Sequence, residues 1–370
     1  MLALCGCQTL GYYGQALSGE VRVLRAREPI DALRRNPRTD AALAARLATA
    51  DSILSFAGSK LALPAEGRYR TFADVGREPI VWNVFAASEF SVDPREWCYP
   101  IVGCAAYRGY FHRDAAVRES VRRQRAGDDV RVSPVAAYST LGWFRDPLLS
   151  SFIYWPDADL ARLLVHELAH VEVFVKGDTD FNESYASFVE RAGVREWISA
   201  HGTQQDLAKW QDEIAREDRF AEFMLHWRAA LAQLYARPYS DFARRVLKAE
   251  LLASAARCYR DARAMLGERA EMSVALNNAD FVPWAAYERW VPAFAVLFRD
   301  VSDDWPAFHR RVAELGRLDA SARHATLGAL AARADQNAAA RPQIGCESLD
   351  QSADSPDDAD SGRQNGASDD

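Results

Sequence analysis

The feature that most constrains this chain is a His-Glu-x-x-His motif within the mostly apolar residues 163–171. On a helix, His166 and His170 are four residues apart, so both imidazoles leave the same face and can bind one metal ion. Glu167 lies beside them and can act as a base toward a metal-bound water. The apolar residues of the same helix form a separate stripe, so the histidine pair is expected to face a cleft.

Start and stop signals predict the extent of this helix and of the next one. A proline and two aspartates within residues 156–159 are typical of a helix start, and Gly177 is a natural stop. Apolar and small residues then recur at helical spacing from about residue 179 to Gly193. Glu183 falls in the first turn of this second helix.

Two histidines need a third protein ligand to form a catalytic zinc site. The three-histidine metzincin pattern is excluded, because it needs histidine at 176 and glycine at 173, where this chain has Lys176 and Val173. Glu183 is the favoured third ligand, although it could instead form a helix capping box with Asp180. Glu190, two turns further along, is the second candidate, either as a ligand or as a partner that orients a ligand.

These ligands predict a site for one Zn²⁺ ion and hydrolytic chemistry. Two imidazoles and one carboxylate leave a fourth position for water, whose pKa zinc lowers to about 7. Glu167 would take the proton of that water and deliver it to the leaving amine. Tyr287 is the candidate that donates a hydrogen bond to the oxyanion, and its alternative is an ordinary core position. The reserve candidates for the same role are Asn277, Asn278 and His226.

Length and charge limit the classes of function. A chain of 370 residues forms one large domain or two smaller ones. The net charge of -7 provides no basic surface for nucleic acid. No apolar run is long enough to cross a membrane. We assign residues 8–335 to a metallopeptidase domain and residues 336–370, which are poor in large apolar residues and end in an acidic stretch, to a disordered tail.

Residues 4–7, Leu-Cys-Gly-Cys, resemble a bacterial lipobox, with Cys7 as the lipidated residue. The charged leader and long apolar core that normally precede a lipobox are missing. Either the true start lies upstream, so that residues 1–7 are a remnant of a signal peptide, or this is a short cytosolic N-terminus with a chance Gly-Cys. The first interpretation predicts a protein of the bacterial cell envelope, on the periplasmic side, attached to a membrane only through its lipid. Because Gln8 is not the aspartate that favours inner-membrane retention, we expect the outer membrane.

The remaining patterns predict an α+β fold that is predominantly helical. Residues 10–60 have helical periodicity, whereas residues 80–87 and 90–92 are β-like. A further extended stretch at residues 130–140 precedes the motif helix. It could lie along the cleft and pair with substrate, or it could be an internal strand and loop.

The Gly- and aromatic-rich stretch at residues 97–111 contains two cysteines. Cys98 and Cys104 could form a disulfide in an oxidising compartment, which would stiffen a short loop. The alternative is a pair of buried free thiols.

The ordered motifs resemble those of the bacterial family of predicted zinc aminopeptidase lipoproteins, and the resemblance covers nearly the whole chain except the tail. The stretches that carry it are GCQTLGYY at 6–13, PIVGC and YRGYF within 100–111, AYSTLGWF at 137–144, HELAH at 166–170, GDT and FNES within 177–184, and NNA at 277–279.

This resemblance implies a gluzincin-like site on a zincin-like fold, with a small β-sheet next to the motif helix. It implies that His166, His170 and Glu183 are the ligands and that Glu167 is the base. An aspartate common in thermolysin-like sites one turn after the glutamate is Ser187 here. The expected activity is that of an aminopeptidase on short periplasmic peptides. The alternatives are a zinc endopeptidase or amidase of the cell envelope and a non-catalytic lipoprotein. The sequence does not indicate the oligomeric state.

Overall fold

A computed structural model of the chain describes residues 12, 14, 18, 19, 21–76, 80–99, 103–135, 146–266 and 275–337. In these ranges the chain is mostly helical and carries small β-sheets, which confirms the predicted class of an α+β, predominantly helical protein. None of the helices in these ranges combines the length and the apolar composition needed to cross a bilayer.

The helices make up most of the described chain. Besides the helical residues 21–25, they are α1 (Ile30–Arg35), α2 (Ala41–Ser59), α3 (Arg113–Arg125), α4 (Asp157–Glu172), α5 (Thr179–His201), α6 (Gln204–Ala236), α7 (Asp241–Leu266), α8 (Val282–Glu288), α9 (Val291–Asp300), α10 (Trp305–Gly316) and α11 (Ala320–Asn337). A 3-10 turn at Asn278–Asp280 precedes α8. Residues 338–370, nearly all of the predicted tail, lie outside the described residues.

The strands are short and form separate small sheets. They are β1 (Arg27–Pro29), β2 (Thr71–Ala73), β3 (Val81–Ser88), β4 (Trp97–Tyr99), β5 (Gly103–Ala105), β6 (Tyr107–Tyr110), β7 (Asp128–Val135) and β8 (Leu148–Leu149). In one sheet β2 pairs with β1 antiparallel and with β8 parallel. In another β3 lies between β6 and β7, both antiparallel to it. Strands β4 and β5 form a hairpin.

The main hydrophobic core lies among α2, α4, α5 and the helices α9 to α11. A second cluster packs α6 against α7. Strand β3 packs on α3 through Val84, Ala86 and Ala116, which belong to a third, smaller cluster.

Two local predictions were wrong. Residues 10–60 are not helical throughout, because β1 interrupts them: Pro29 lacks the N–H that a helix interior needs, and the segment instead pairs with β2. Residues 90–92 form no strand. The amide of Ser91 donates to the carbonyl of Ser88 at 3.1 Å, so a turn uses the donor that a strand would need.

Helix α4 begins where the sequence indicated, directly after Pro156, but it ends at Glu172 rather than at Gly177. The side-chain amide of Asn182 explains the early end. Its Oδ1 accepts from the Val175 amide at 2.7 Å and its Nδ2 donates to the Val175 carbonyl at 2.8 Å. These two bonds satisfy the backbone N–H and C=O of Val175, which a further helical turn would otherwise do. Gly177, at φ +79°, therefore belongs to the connection to α5.

Helix α5 continues to His201, eight residues beyond the predicted end at Gly193. The apolar residues Val194 and Ile198 extend its buried side. The glycine has a packing reason instead, because a Cβ at Gly193 would lie 2.6 Å from Cδ1 of Leu61. Gly193 therefore permits close packing inside a continuous helix and does not end it.

The connection between α4 and α5 is braced from two sides. In the β4–β5 hairpin, Cys98 faces Cys104 and the two form a disulfide. Next to it Gly103, at φ +82°, lies so close to the connection that a Cβ would be 2.9 Å from the backbone nitrogen of Gly177. On the other side Asp178 caps α5 and binds Arg323 of α11, with both side chains at most 7% exposed.

Candidate metal centre

The histidines of the motif and Glu183 converge on one point between α4 and α5. The two Nε2 atoms of His166 and His170 are 3.1 Å apart. Oε2 of Glu183 lies 3.4 Å from each of these nitrogens. All three side chains are at most 13% exposed, so the point lies in a largely dry environment.

The geometry fits a tetrahedral cation. With metal–ligand distances of about 2.0–2.1 Å, neighbouring ligand atoms of a tetrahedral zinc site lie about 3.3–3.4 Å apart. Nδ1 of His166 lies 2.7 Å from a carboxylate oxygen of Glu190. If Nδ1 carries the proton that this acceptor binds, Nε2 directs a lone pair at the other two ligand atoms. Oε2 of Glu183 is buried and makes no well-formed hydrogen bond to a described residue, as expected of an atom reserved for a cation.

The structure does not show Glu183 in its alternative role, as part of a helix capping box with Asp180. The residue that caps α5 is Asp178, whose side chain accepts from the amide of Phe181 at 3.1 Å. Asp180 lies within the first turn of α5 and binds Arg289 at 3.2 Å. The carboxylate of Glu183 is therefore directed at the histidines.

His166, His170 and Glu183 form what we call the ligand cluster, and Glu190 lies beside it. Its Oε2 binds Nδ1 of His166 at 2.7 Å, on the ring edge remote from the convergence point. Its Oε1 accepts from Nε of Arg162 at 2.7 Å. Of its two predicted roles, the geometry favours the partner that orients a ligand. Ser187, one turn earlier, is too short to do so and is buried in the same helix.

The electrostatics of the cluster favour positive charge. Burial disfavours a charged His166, yet its close contacts with the carboxylates of Glu183 and Glu190 outweigh burial and raise its pKa to about 10. Burial of Glu183 is likewise outweighed, here by the charge of His170 and by the close approach of both imidazoles, so its pKa lies well below the ordinary value. For Glu190 the charge of Arg162 and the bond to His166 overcome burial and lower the pKa to about 2. A site that binds a proton this tightly would also stabilise a metal ion.

Tyr287 of α8 lies against the ligand cluster. Its ring stacks on that of His166, with centroids 6.1 Å apart and an interplanar angle of 22°. Burial raises the pKa of its phenol well above the ordinary value, and the negative charges of Glu183 and Glu167 raise it further. A phenol in this state stays protonated at neutral pH and can donate a hydrogen bond.

Two tyrosines that the sequence did not single out share this environment. Tyr107 of β6 is partly buried, and the charges of Glu183 and Glu167 add to the rise in pKa that burial causes. Tyr69, just before β2, has a φ of +51°, and burial together with Glu167 raises its pKa. Both belong to segments far from the motif, and neither has a local pattern that separates it from a core tyrosine. The motif YRGYF, which contains Tyr107, was the sole indication.

The reserve candidates for the oxyanion role have other partners. The side-chain amide of Asn278 donates to the carbonyls of Ser88 and Glu89, each at 3.0 Å, and Asn277 caps the 3-10 turn. His226 is exposed on α6 and packs edge-on against Trp227. The structure does not bring these three side chains to the ligand cluster.

Two predicted features are not covered by the described residues. Cys7 lies outside them, as do residues 136–140 of the stretch that could pair with substrate. The part of that stretch that is described belongs to β7, an edge strand of its sheet. Glu96 lies close to Cys98 and Cys104, but the disulfide leaves these cysteines without the thiolates that a metal site needs.

Fold and site together define a mainly helical α+β protein in which a His-Glu-x-x-His helix and its neighbour bring two imidazoles and one carboxylate to a common point. A model of the family described as "Putative aminopeptidase" matches residues 11–327, and the chain belongs to this family. The expected aminopeptidase family is therefore confirmed, and the family description assigns the chain to the peptide hydrolases. Comparison with curated proteins and with solved structures gave no match.

Proposed function

We propose that the protein is a zinc-dependent aminopeptidase with a zincin-like, gluzincin-type active site. One observation supports it most: Nε2 of His166, Nε2 of His170 and Oε2 of Glu183 lie 3.1–3.4 Å from one another. Within the described residues, one other group of possible ligands has such spacing, and it contains the disulfide. The ligands of one Zn²⁺ ion are then these three side chains, and family membership supplies the peptide substrate.

The chain's own residues divide the work of hydrolysis. When bound, zinc supplies Lewis-acid activation of a water molecule and of the scissile carbonyl. Glu167, next to His166 in sequence, accepts a proton from the attacking water and delivers it to the leaving amine. Tyr287 donates a hydrogen bond to the oxyanion that forms on the carbonyl, a role that its raised pKa favours. Glu190 holds the ring of His166 in place.

The proposed setting is the periplasmic side of the bacterial cell envelope. Cys7 would carry a lipid, which would be the only membrane attachment, and the outer membrane is the proposed location. The substrates are then short peptides, and the net charge of -7 argues against nucleic acid as a partner. Mass spectrometry of the N-terminal peptide tests the lipid, which should be present in the wild type and missing from Cys7→Ser.

Metal content and activity test the site. Wild type should bind one zinc ion per chain, whereas His166→Ala and Glu183→Ala should lose it. Glu167→Gln should keep zinc and lose about 10²- to 10⁴-fold in kcat. Glu172→Gln is the matched control, because Glu172 is an exposed carboxylate on the same helix, and it should behave as wild type. Zinc in the His166→Ala protein, or activity in Glu167→Gln, would contradict the proposed roles.

The type of peptidase is tested separately. A fluorogenic peptide with a free amine should be cleaved, and its N-acetylated form should not. Cleavage of the acetylated form alone would replace the aminopeptidase by a zinc endopeptidase or amidase with the same metal centre. A protein that binds zinc but cleaves neither peptide would support a non-catalytic role.

A further inference from the structure

A largely buried network of charged side chains borders the metal centre and extends well beyond it. It joins four carboxylates and two guanidinium groups from the helices α4, α5, α6 and α8. We call it the acid–arginine network, and its members are Arg162, Glu190, Arg191, Glu217, Asp218 and Glu288. The proposed hydrolytic mechanism assigns a role to Glu190 alone.

The first arm of the network ends on a proposed ligand. Glu190 bridges Nδ1 of His166 and Nε of Arg162, each at 2.7 Å. Nη1 of Arg162 continues to Oε1 of Glu217 at 2.6 Å. This arm fixes the orientation of the His166 ring from α5 and α6.

The second arm begins at the next residue of α5. Nη2 of Arg191 binds Oε1 of Glu288 at 2.7 Å, and its Nη1 binds Asp218 at 3.0 Å. The side chains of Arg191 and Glu288 are each 10% exposed. Nη2 of Arg191 also lies 3.7 Å from Oε2 of Glu217, so the two arms share that carboxylate.

Glu288 is the last residue of α8, and it directly follows Tyr287. Helix α8 has seven residues, which is too short to hold its conformation without tertiary contacts. Besides Arg191, the hydroxyl of Ser184 holds the same end, since it donates to the Ala286 carbonyl at 3.0 Å. The position of the Tyr287 ring over His166 therefore depends on attachments between the end of α8 and α5.

We propose that Arg191 and Glu288 are positioning residues that hold Tyr287 against the metal centre, through the same network whose other arm holds His166. The proposal rests on the proposed function for the role of Tyr287, and it adds a physical link between the oxyanion donor and a ligand. Adjacent residues of α5 provide this link, because Glu190 serves the ligand and Arg191 serves the donor. Both arms would therefore shift together if α5 moved.

The test uses the full-length protein and a double-mutant cycle. Tyr287→Phe should lower kcat by about 10²- to 10³-fold, the usual effect of losing an oxyanion donor. Glu288→Gln keeps the side-chain shape and leaves Arg191 bound to Asp218, so the protein should fold, and kcat should fall by about tenfold or more with little change in KM. The double variant should be no slower than Tyr287→Phe, within about twofold, because Glu288 acts through that phenol.

Arg289→Gln is the matched control. It removes another ion pair between the end of α8 and α5, to Asp180, but the Arg289 side chain is 50% exposed, so kcat should stay within about twofold of wild type.

Zinc affinity distinguishes the two arms of the network. Glu190→Gln should weaken zinc binding by about 10- to 100-fold, and Glu288→Gln should leave it within about threefold of wild type. Multiplying effects in the double variant, or wild-type kcat in Glu288→Gln, would overturn the proposal.

Hydrogen exchange does not depend on catalysis, so it tests the positioning role separately from the proposed function. Hydrogen exchange of the amides in α8 should be faster in Glu288→Gln than in wild type or Arg289→Gln, with or without zinc. Equal exchange in all three proteins would overturn the positioning role even in an active enzyme. Absence of zinc and of hydrolysis in the wild type would instead contradict the proposed function, while the exchange result would still decide whether Glu288 holds α8.

Discussion

Replacement of Gly103 by alanine tests whether the disulfide hairpin braces the connection between α4 and α5, the two helices that carry the proposed ligands. A Cβ at this position would lie 2.9 Å from the backbone nitrogen of Gly177 and 3.1 Å from its Cα. Cγ of Lys176 would also lie at 2.9 Å, and the backbone of Gly177 can move only with the connection. The φ of +82° adds a conformational cost for alanine of about 1–2 kcal/mol.

Gly127 separates these two costs. It has a φ of +86°, yet nothing lies within 4 Å of a Cβ built on it. Gly127→Ala should therefore lower the free energy of unfolding by the conformational cost alone, about 1–2 kcal/mol. Gly103→Ala should lower it by about 1–3 kcal/mol more, the usual cost of overpacking. The difference between the two variants measures the contact with the connection.

Urea denaturation of the metal-free proteins gives the two free energies, and chelator competition gives the zinc affinities. We expect Gly103→Ala to bind zinc more weakly than wild type, because a displaced connection changes the approach of α4 to α5, and Gly127→Ala to bind it as wild type does. Equal destabilisation of the two variants, together with equal zinc affinity, would refute the idea that the hairpin braces the metal centre.

Three further predictions concern the ligands and the core. Glu183→Gln keeps the size of the side chain but removes its charge, so chelator competition should detect a large loss of zinc affinity, which an affinity close to wild type would contradict. A chelator should lower the melting temperature of the wild type by several degrees and added zinc should restore it, whereas Glu183→Ala should respond to neither. Burial lowers the pKa of His309, although its bond to the Leu61 carbonyl opposes this. The unfolded chain then binds a proton near pH 6.5 that the folded protein does not, so stability should decrease as the pH falls below about 6.5. In His309→Gln this part of the pH dependence should be absent from urea titrations between pH 8 and pH 5, and an unchanged slope would exclude His309 as its source.

Helical periodicity was sufficient to predict the part of the centre that lies on α4. Because residues four apart share a face, the sequence placed His166 and His170 together and away from the buried leucines at 160, 164 and 168. Start signals also predicted Glu183 in the first turn of the next helix, and the structure places it as the fifth residue of α5, just past that turn. What periodicity could not decide was where its carboxylate points, since that depends on Asp178 as the cap and on Asn182 as the residue that shapes the connection.

The rest of the centre depends on tertiary contacts that leave no local pattern. Tyr69 precedes β2 and Tyr107 lies in β6, which are strands of two different sheets, and only the packed fold places both tyrosines near Glu167. Arg191 and Glu288 are 97 residues apart in sequence, and each looks like an ordinary charged residue of an amphipathic helix. A single sequence predicts which side chains converge at the candidate centre far better than it predicts the residues that hold those side chains in place.

The short interval between His170 and Glu183 follows from the antiparallel arrangement of α4 and α5. A short connection places consecutive helices side by side in opposite directions. His170, near the end of α4, therefore meets Glu183, near the start of α5. One turn back along α4, His166 meets Glu190, which lies further along α5. The order of the two glutamates along α5 thus determines their contacts, with the proposed ligand nearer to the connection and the carboxylate proposed to orient His166 farther from it.

Gly193 lies on α5 beyond these two glutamates, and it also faces α4. It lies next to Val165, whose Cγ1 would be 3.4 Å from a Cβ on the glycine, and Leu61 fills the remaining space. A larger residue would have to displace Leu61 at a point less than one turn beyond Glu190, whose Oε2 lies 2.7 Å from Nδ1 of His166. The glycine that the sequence suggested as a helix end is therefore better understood as the residue that lets Leu61 pack directly against α5, next to Val165 of α4.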